Sequence, residues 1–287
     1  MTDSVRTSSQ PERRVLRQPR VPSAFVAHGS PMTVMDREFA AALGKFFRRH
    51  RQVKALLVVS AHWQVDGAIR VSSSPRPKLL YDFSGFPGWL YEVGYPCPGE
   101  PSLAQYAAIR LEQAGLEARL DPDRGLDHGV WVPLSLAYPE ARIPVVQVSL
   151  PSPATPDRLL AMGRALAPLR YGGVMLVGTG GITHNLALLD PESPPGMVEP
   201  WAEEFDLWVH ERVRQLDADA LADAAQKAPH MRLAAPSSEH LDPLLFVMGT
   251  AMPGDSLRDI YAGFRFGSLS LRSFALVGRR REDRGER

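Results

Sequence analysis

The sequence predicts a single layered α/β domain, an αβα arrangement around a mixed, mostly parallel sheet. Short apolar segments alternate with amphipathic helical segments along most of the 287 residues, which is the pattern of a sheet covered by helices. Two alternating segments, 259–266 and 268–276, follow each other near the end and favour a closing pair of strands. Because no repeat or linker divides the chain, we expect one domain at 21–278, with a flexible tail at 1–20 and a charged tail at 279–287.

The first half of the chain predicts three strands and two helices. An apolar strand is expected at 23–27, and a helix at 36–50, where apolar and charged residues alternate at helical spacing. A second apolar strand is expected at about 54–60, with a shorter one at 68–72. A helix at 103–114 completes this half.

Residues 74–100 form a long predicted loop between these elements. Loops of this length in a compact domain are often functional. The loop either plugs an edge of the core or lines a pocket, and both roles are compatible. Its aromatic residues are Tyr81, Phe83, Phe86, Trp89, Tyr91 and Tyr95.

The second half continues the alternation of strands and helices. The predicted segments are a short strand at 118–120, a Gly-flanked loop at 125–131, a buried strand at 143–150, a helix at 156–166, a buried strand at 174–177, a helix at 199–216, a further helix at 216–228 and the last main helix at about 239–250.

Composition narrows the functional classes. The formal net charge of +1 argues against a strong electrostatic attraction to nucleic acid or to a membrane. Cys97 is the single cysteine, so neither an intrachain disulfide nor a Cys-rich zinc finger is expected. The first twenty residues lack the apolar core of a secretory signal, and no apolar run approaches the ~20 residues of a membrane span. We therefore expect a cytoplasmic protein.

Three histidines follow three predicted strands. His28 follows the strand at 23–27, His62 the strand at about 54–60, and His184 follows the strand at 174–177 through a Gly-rich turn. Ligands of open α/β sheets bind at the carboxyl ends of the strands. If the sheet brings these ends together, the three imidazoles converge, and converging neutral imidazoles indicate a transition-metal site.

Two further histidines are candidates for the same site. His240 lies beside Glu239 at a predicted helix start, so either side chain is a candidate fourth ligand or partner of a ligand. His128, which we expect to be positioned by its neighbours Asp127 and Gly129, is a candidate for substrate binding or proton transfer. Of the other histidines, His50 and His210 are assigned to the surface, and His230 is left open.

The motifs around these residues occur in one order along nearly the whole chain, from about 22 to 276. They resemble the DODA-type (4,5-DOPA dioxygenase-like) branch of the class III, LigB-like extradiol ring-cleavage dioxygenases. The motifs are His28-Gly29-Ser30-Pro31, Ser60-Ala61-His62-Trp63, Asp82-Phe83-Ser84-Gly85-Phe86-Pro87, Leu126-Asp127-His128-Gly129, Thr183-His184-Asn185-Leu186 and Glu239-His240-Leu241-Asp242-Pro243-Leu244.

The resemblance implies a non-haem metal, with iron(II) for catalysis or zinc in the same site. It implies that His28, His62 and His240 are metal ligands. It places His184 at the metal, as the acid/base or as a further ligand, and His128 as a second catalytic or substrate-orienting residue. Many class III enzymes use two histidines and a carboxylate, whereas here the third position is histidine with Glu239 adjacent.

The resemblance also implies a reaction, the opening of a catechol-type, DOPA-like ring with O2. Two alternatives stay open from the residues alone. A zinc-dependent hydrolase would use the same His-rich site to activate water, and a metal-binding protein without turnover would hold a coordinatively closed ion. Dependence on oxygen separates the first alternative from ring cleavage. The sequence does not indicate an oligomeric state.

Overall fold

The central sheet has eight strands within residues 20–278, the part of the chain that the computed structural model describes. Apart from Arg20, the tails predicted at 1–20 and 279–287 lie outside the described residues. Two further strands, β8 and β9, form a separate pair. In chain order all the strands of residues 20–278 are β1 (Ser23–Ala27), β2 (Ala55–Asp66), β3 (Ile69–Ser72), β4 (Ala118–Asp121), β5 (Val145–Ser152), β6 (Val174–Gly180), β7 (Asp255–Tyr261), β8 (Phe264–Arg265), β9 (Leu269–Ser270) and β10 (Ser273–Gly278).

The strand order of the sheet is β4–β3–β5–β2–β6–β1–β10–β7, and β8 pairs with β9 outside it. The four central strands β5, β2, β6 and β1 are parallel to one another, as is the pair β3 and β4. The contacts of β3 with β5, β10 with β1, and β7 with β10 are antiparallel. The carboxyl ends of β2, β6 and β1 therefore lie side by side at one edge of the sheet.

Helices cover both faces of this sheet, which confirms the predicted fold class. Their ranges are α1 (Arg37–Phe47), α2 (Pro101–Gln113), α3 (His128–Ala137), α4 (Pro156–Leu166), α5 (Pro200–Arg214), α6 (Ala218–Ala222), α7 (Ala224–Lys227), α8 (Met231–Ala234) and α9 (Asp242–Gly249). Helices α2, α4, α5 and α9 contribute to the apolar core on one face, and α1 and α3 to the core on the other.

Strand β2 shows why the fold needs two cores. Leu57 and Val59 point into one of them, and Leu56 and Val58 point into the other. Successive side chains of a strand face opposite sides of the sheet. A continuous apolar run is therefore what a central strand covered on both faces requires.

The predicted end of the second strand, at residue 60, is wrong. Strand β2 continues to Asp66, and its pairing with β5 shifts register between Val59 and Gln64. His62 therefore lies inside an irregular stretch of the strand rather than after its end. A bulge of this kind redirects side chains and is common beside active sites. The polar residues after the apolar run hid this continuation.

The prediction of a loop at 125–131 is wrong from His128 onward, because α3 begins at that residue. This helix is almost entirely buried and contains Pro133. A helix that is apolar on all sides lacks the amphipathic pattern by which surface helices are recognised. His128 is therefore held at a helix start rather than in a loop.

The boundaries of later elements also differ from the prediction. The last main helix begins at Asp242 rather than 239, with Pro243 in its first turn, a position that proline favours. The single helix predicted at 216–228 is instead the two short helices α6 and α7. The closing antiparallel pair exists, but its strands are β7 and β10, with the β8–β9 hairpin between them. None of the helices within 20–278 has the length and apolarity that a membrane crossing requires.

Candidate metal centre

The structure brings His28, His62 and His184 together at the carboxyl edge of the sheet. His28 directly follows β1, His62 lies in the irregular part of β2, and His184 follows β6 by four residues. The Nε2 atoms of His28 and His62 are 3.1 Å apart, and the ring centroids of His28 and His184 are 6.4 Å apart. The adjacency of β2, β6 and β1 is the reason for this convergence.

His240 and His128 complete a cluster of five imidazoles. The ring of His240 lies 5.2 Å from that of His28 and is stacked on His184, with 3.4 Å between centroids and 8° between planes. The ring of His128 is 4.1 Å from that of His62. His240 comes from the turn before α9, and His128 is the first residue of α3. The cluster is therefore assembled from five separate segments of the chain.

Backbone hydrogen bonds hold three of these segments against one another. The His28 amide donates to Gly180 O at 3.1 Å, and the Gly181 amide donates to His240 O at 2.9 Å. The amide of His184 donates to Ala234 O at 2.7 Å. A Cβ on Gly180 would collide with the His240 carbonyl oxygen. Gly180, the last residue of β6, therefore lets the His240 segment approach the strand.

A buried polar network braces the segment that carries His184. Thr183 Oγ1 accepts a hydrogen bond from the Ser270 amide at 2.7 Å, and Ser270 Oγ donates to Asp206 Oδ1 at 2.6 Å. Arg272 Nε donates to Asp206 Oδ2 at 2.6 Å. Asp206 and Arg272 are both buried, so each charge has its partner. The network links the β8–β9 hairpin and α5 to the residue preceding His184.

A second buried network braces the segments that carry His62 and His128. The carboxylate of Asp127, at the start of α3, accepts from Ser60 Oγ at 2.7 Å, Gln147 Nε2 at 2.5 Å and Arg124 Nη2 at 2.8 Å. Arg124 also donates to His62 O at 3.3 Å. Burial raises the pKa of Asp127, against the opposing effect of these donors. The network links β2, β5 and α3 directly beneath the cluster.

Two carboxylates at the edge of the cluster contact histidine rings. Asp82 Oδ1 lies 3.0 Å from His128 Nδ1, and Glu239 Oε1 lies 3.2 Å from His240 Nδ1. Burial raises the pKa of Asp82, but the hydrogen bonds from His128 outweigh it and lower the value to about 2. The hydrogen bond from His240 lowers the pKa of Glu239 to about 2, against a smaller opposing effect of burial.

Asp82 corrects the expectation that the sequence neighbours of His128 hold its ring. The carboxylate of Asp127 faces Ser60, Gln147 and Arg124, whereas the partner of the ring lies 46 residues earlier in the chain. Sequence reasoning did not single out Asp82 as a functional residue. The available signal was an acidic residue inside an aromatic, glycine-rich loop.

The environment keeps the rings of His28, His62 and His184 neutral. Burial, reinforced by the neighbouring histidines, lowers the pKa of His28 well below its ordinary value. Burial and then His128 lower the pKa of His62 to about 3, and burial and then His240 lower that of His184 to about 3. Neutral imidazoles carry the lone pairs that metal binding requires.

Residues 20–278 fit a metal ion at this place. Two ligand sets, His28 with His184 and His240, and His28 with His62 and His128, each keep their ligand atoms within 4.8 Å of one another. His240 Nε2 is buried and has no hydrogen-bond partner among the described residues, although buried polar atoms are normally satisfied. Metal–nitrogen bonds of about 2.0–2.1 Å place two ligand atoms on one ion about 3 Å apart, as His28 Nε2 and His62 Nε2 are.

Aromatic residues of the loop 74–100 form a wall beside the cluster. The ring of Phe83 meets that of His128 edge-on, with 5.6 Å between centroids. Tyr81 packs on Trp131 at 5.7 Å, and Phe83 packs on Tyr91 at 5.0 Å. Trp131 belongs to the buried core. The loop therefore contacts both the core and the cluster, as the sequence allowed.

The other three histidines contact residues outside the cluster. His210 Nε2 is 2.9 Å from Asp259 Oδ1, and His230 Nε2 is 2.8 Å from Glu204 Oε2. The ring of His50 packs on Phe46, with 4.8 Å between centroids. His50 is half-buried, so its predicted place on the surface is only partly right.

The fold and this His-rich centre are those of a metal-dependent enzyme, and the comparison with known proteins gives its family. Residues 21–265 match the family described as the catalytic LigB subunit of aromatic ring-opening dioxygenase. The chain is 37% identical over 257 residues to 4,5-DOPA dioxygenase extradiol of Beta vulgaris, and the alignment covers 87% of this chain and 94% of the relative. A protein of the same name from Escherichia coli K12 is 35% identical over 275 residues, covering 90% of this chain and 96% of the relative.

A solved structure supports the same relationship. The crystal structure of an uncharacterized protein from Escherichia coli K12 superimposes with a TM-score of 0.75 at 31% identity, covering 89% of this chain and 99% of the other. The chain belongs to the LigB family and is an extradiol aromatic ring-opening dioxygenase. The predicted family and enzyme class are confirmed. The hydrolase and the non-catalytic metal-binding alternatives receive no support from these matches.

Proposed function

We propose that this dioxygenase uses iron(II) and O2 to open the ring of a DOPA-like catechol. The observation that carries this proposal is the cluster of five histidines. The substrate class is proposed from the relatives of Beta vulgaris and Escherichia coli, which are named 4,5-DOPA dioxygenase extradiol. Imidazole ligands suit both iron and zinc. Zinc has no redox chemistry, whereas one-electron chemistry with O2 is a property of non-haem iron. The reaction therefore favours iron.

We assign His28, His62 and His240 as the residues that would hold the metal. The 3.1 Å separation of His28 Nε2 and His62 Nε2 supports this assignment, as does the unpartnered Nε2 of His240. Glu239 contacts Nδ1 of His240 and so leaves Nε2 as the ligand atom. A carboxylate on the far nitrogen of a metal-ligating histidine is a common supporting arrangement.

We assign His184 as the acid/base rather than as a further ligand. Its ring lies parallel to that of His240, with 3.4 Å between centroids. An imidazole nitrogen binds an ion in the plane of its ring, so two parallel stacked rings cannot both direct a lone pair at one ion without tilting. Of the two stacked rings we therefore assign only His240 to the metal, in place of the set that contains both, and His184 lies beside the ligands as the group that transfers a proton.

When bound, the metal ion supplies Lewis acidity toward the catechol oxygens and redox chemistry toward O2. Neutral His184 then accepts the proton of a catechol hydroxyl. A negatively charged catechol oxygen beside its ring would raise the pKa of His184 from its value of about 3, because an opposite charge favours the imidazolium form. His128 is the second acid/base or orienting group, and Phe83 supplies an apolar surface for the substrate ring.

The family match begins at residue 21, and β10 ends at Gly278. These limits support the proposal that residues 21–278 form the catalytic domain.

The test is oxygen uptake by iron(II)-loaded protein against DOPA, 3,4-dihydroxyphenylacetate and unsubstituted catechol, with tyrosine as a monohydroxylated control. We expect one O2 consumed per catechol opened, a yellow product, and no uptake with tyrosine or with zinc-loaded protein. Absence of uptake from protein with verified iron content would overturn the proposal.

The role of His184 is tested by His184→Gln in the same assay. General acid–base catalysis is typically worth about 10²–10⁴-fold, so we expect turnover to fall by that factor while iron content is retained. His210→Gln, which removes a histidine paired with Asp259 away from the cluster, should keep the wild-type rate. Full turnover in His184→Gln would refute the assignment.

A further inference from the structure

The loop 74–100 places a carboxylate on the histidine that faces the proposed substrate. Asp82 Oδ1 accepts from the backbone amide of His128 at 2.9 Å and contacts its ring Nδ1 at 3.0 Å. One oxygen atom therefore contacts both the main chain and the side chain of the same residue. His128 is 6% exposed, so few other conformations are open to its ring.

We propose that Asp82 is a positioning residue, which fixes the tautomer and the orientation of His128 for ring opening. A carboxylate only accepts hydrogen bonds. Its contact with Nδ1 requires the proton on that nitrogen and leaves Nε2 as the acceptor of the neutral ring. The inference rests on the proposed function, in which His128 acts on the substrate.

The surroundings of His128 leave this task to Asp82. The preceding residue, Asp127, has its two carboxylate oxygens occupied by Ser60, Gln147 and Arg124. Asp127 therefore fixes the start of α3 but does not hold the imidazole. The ring donates its hydrogen bond to Asp82, in the loop across the site.

The same loop carries the aromatic wall. Phe83, adjacent to Asp82, meets the edge of the His128 ring at 5.6 Å and packs on Trp131 at 6.3 Å. The residue that orients the proposed acid/base and the residue that contacts its ring are thus neighbours in the chain. A displacement of the loop would move both together.

Asp82 also lies near His62, so an effect of its removal on His62 has to be separated from an effect on His128. Asp82 Oδ2 is 3.9 Å from His62 Nδ1, which is too long for a hydrogen bond. If Asp82 nevertheless acted on this proposed ligand, its removal would weaken metal binding. Metal content therefore separates positioning of His128 from support of His62.

The kinetic test is a double-mutant cycle of Asp82→Asn and His128→Gln. We expect Asp82→Asn to lower kcat about 10- to 100-fold, the usual effect of losing such a supporting partner, with KM for the catechol and iron content unchanged. In the His128→Gln background, Asp82→Asn should cause no further loss, since residues that act as one unit are not additive. Additive losses, or a loss of iron in Asp82→Asn, would overturn the inference.

Asp217→Asn is the matched control, because Asp217 also accepts a backbone amide at a helix start, from Ala220 at 3.0 Å. It lies outside the cluster, and we expect the wild-type kcat. A loss in this control equal to that of Asp82→Asn would show a general effect of removing such carboxylates and would overturn the inference.

A second measurement does not depend on turnover. Nitrogen-15 NMR of the diamagnetic zinc-loaded protein reports which imidazole nitrogen carries the proton, and the His128 signals are identified by their loss in His128→Gln. We expect the proton on Nδ1 in the wild type and a shift toward the Nε2-protonated form in Asp82→Asn. A wild-type proton on Nε2 would overturn the inference.

The two proposals fail in different ways. No oxygen uptake by the iron-loaded wild type overturns the proposed function, and the role of Asp82 with it. An active wild type with additive losses in the cycle overturns the role of Asp82 alone.

Discussion

The two ends of β1 lead to two buried polar clusters of opposite character. At its start, Val21 accepts a hydrogen bond from the buried Arg170 at 2.9 Å, and Arg170 forms an ion pair with Asp255 at 2.6 Å. At its end, His28 enters the cluster of five imidazoles. Arg170 and Asp255 in the first cluster, and His28, His128 and His240 in the second, are all buried. The main difference between the clusters is therefore one of hydrogen bonding.

Arg170 is satisfied within the chain. Its guanidinium also donates to the carbonyl oxygens of Thr250 and Leu276, at 2.8 Å and 3.0 Å. Burial raises the pKa of Asp255, but the hydrogen bonds and the charge of Arg170 outweigh it and lower the value. Arg20 adds a second donor to Asp255 at 2.7 Å. The contacts form a closed network that ties β1, β7 and β10 together.

The histidine cluster is open by comparison. His28 Nδ1 and His240 Nε2 are buried without hydrogen-bond partners among the described residues, and burial together with neighbouring rings keeps His28 neutral. Unsatisfied buried polar atoms cost stability. The comparison shows that a closed polar network serves the fold, whereas an open one retains the capacity to bind a ligand.

The largest expected effect is on the closed network. Arg170→Met would break the buried ion pair with Asp255, leaving that carboxylate with Arg20 as its remaining arginine partner, and would remove a donor from three backbone carbonyls. Breaking a buried ion pair typically costs about 3–5 kcal/mol. We expect this loss in the free energy of unfolding measured by urea denaturation. Arg265→Met, which removes a partly exposed partner of Asp36, should cost less than about 1 kcal/mol. Equal costs in the two variants would refute the contrast.

A smaller effect is expected at the edge of the open cluster. Glu239→Gln removes the carboxylate that contacts Nδ1 of His240, and losses of such partners typically weaken metal binding about 10- to 100-fold. Zinc titration of metal-free protein measures this affinity. The control is Glu204→Gln, which alters a similar contact with His230 away from the cluster and should leave the affinity unchanged. A wild-type affinity in Glu239→Gln would show that the contact does not support His240.

The smallest expected effect is the pH dependence of the metal-free protein. The pKa values of His62 and His184 are about 3 in the folded state, against about 6.5 when unfolded. Between these values the unfolded chain binds more protons, so stability is lost as pH falls from about 6.5 toward 3. The slope is at most about 1.4 kcal/mol per pH unit for each histidine, and less for His62, which is partly exposed.

The stabilising contribution of Asp255 lies in a different pH window. Because its folded-state pKa is lowered, that contribution is present above the ordinary carboxylate pKa of about 3.9 and is lost only below it. Urea denaturation between pH 7 and pH 5 should therefore show a shallower slope for His184→Gln than for the wild type. Arg170→Met should retain the wild-type slope. A wild-type slope in His184→Gln together with a shallower slope in Arg170→Met would mean that the network of Arg170 and Asp255 titrates in this window.

Periodicity and apolar runs were sufficient to predict the layered fold, the mixed sheet and most of its central strands. The runs at 23–27 and 174–177 correspond to β1 and β6, because a strand buried on both faces must be apolar throughout. A continuous apolar run did not identify the helix α3, because that helix is also apolar on all sides. The apolar pattern also failed beyond residue 60, because the bulge in β2 places polar residues within a strand.

The sequence by itself determined which residue types could form the site, because histidines after apolar strands are visible in the chain. Only the tertiary structure decided how His128 is held. The ring donates its hydrogen bond to Asp82, 46 residues away, rather than to the adjacent Asp127. It also decided that His184 and His240 are stacked in parallel. Side-chain partners across a site depend on the packing of distant segments, and local sequence patterns carry no information about the direction in which a ring points.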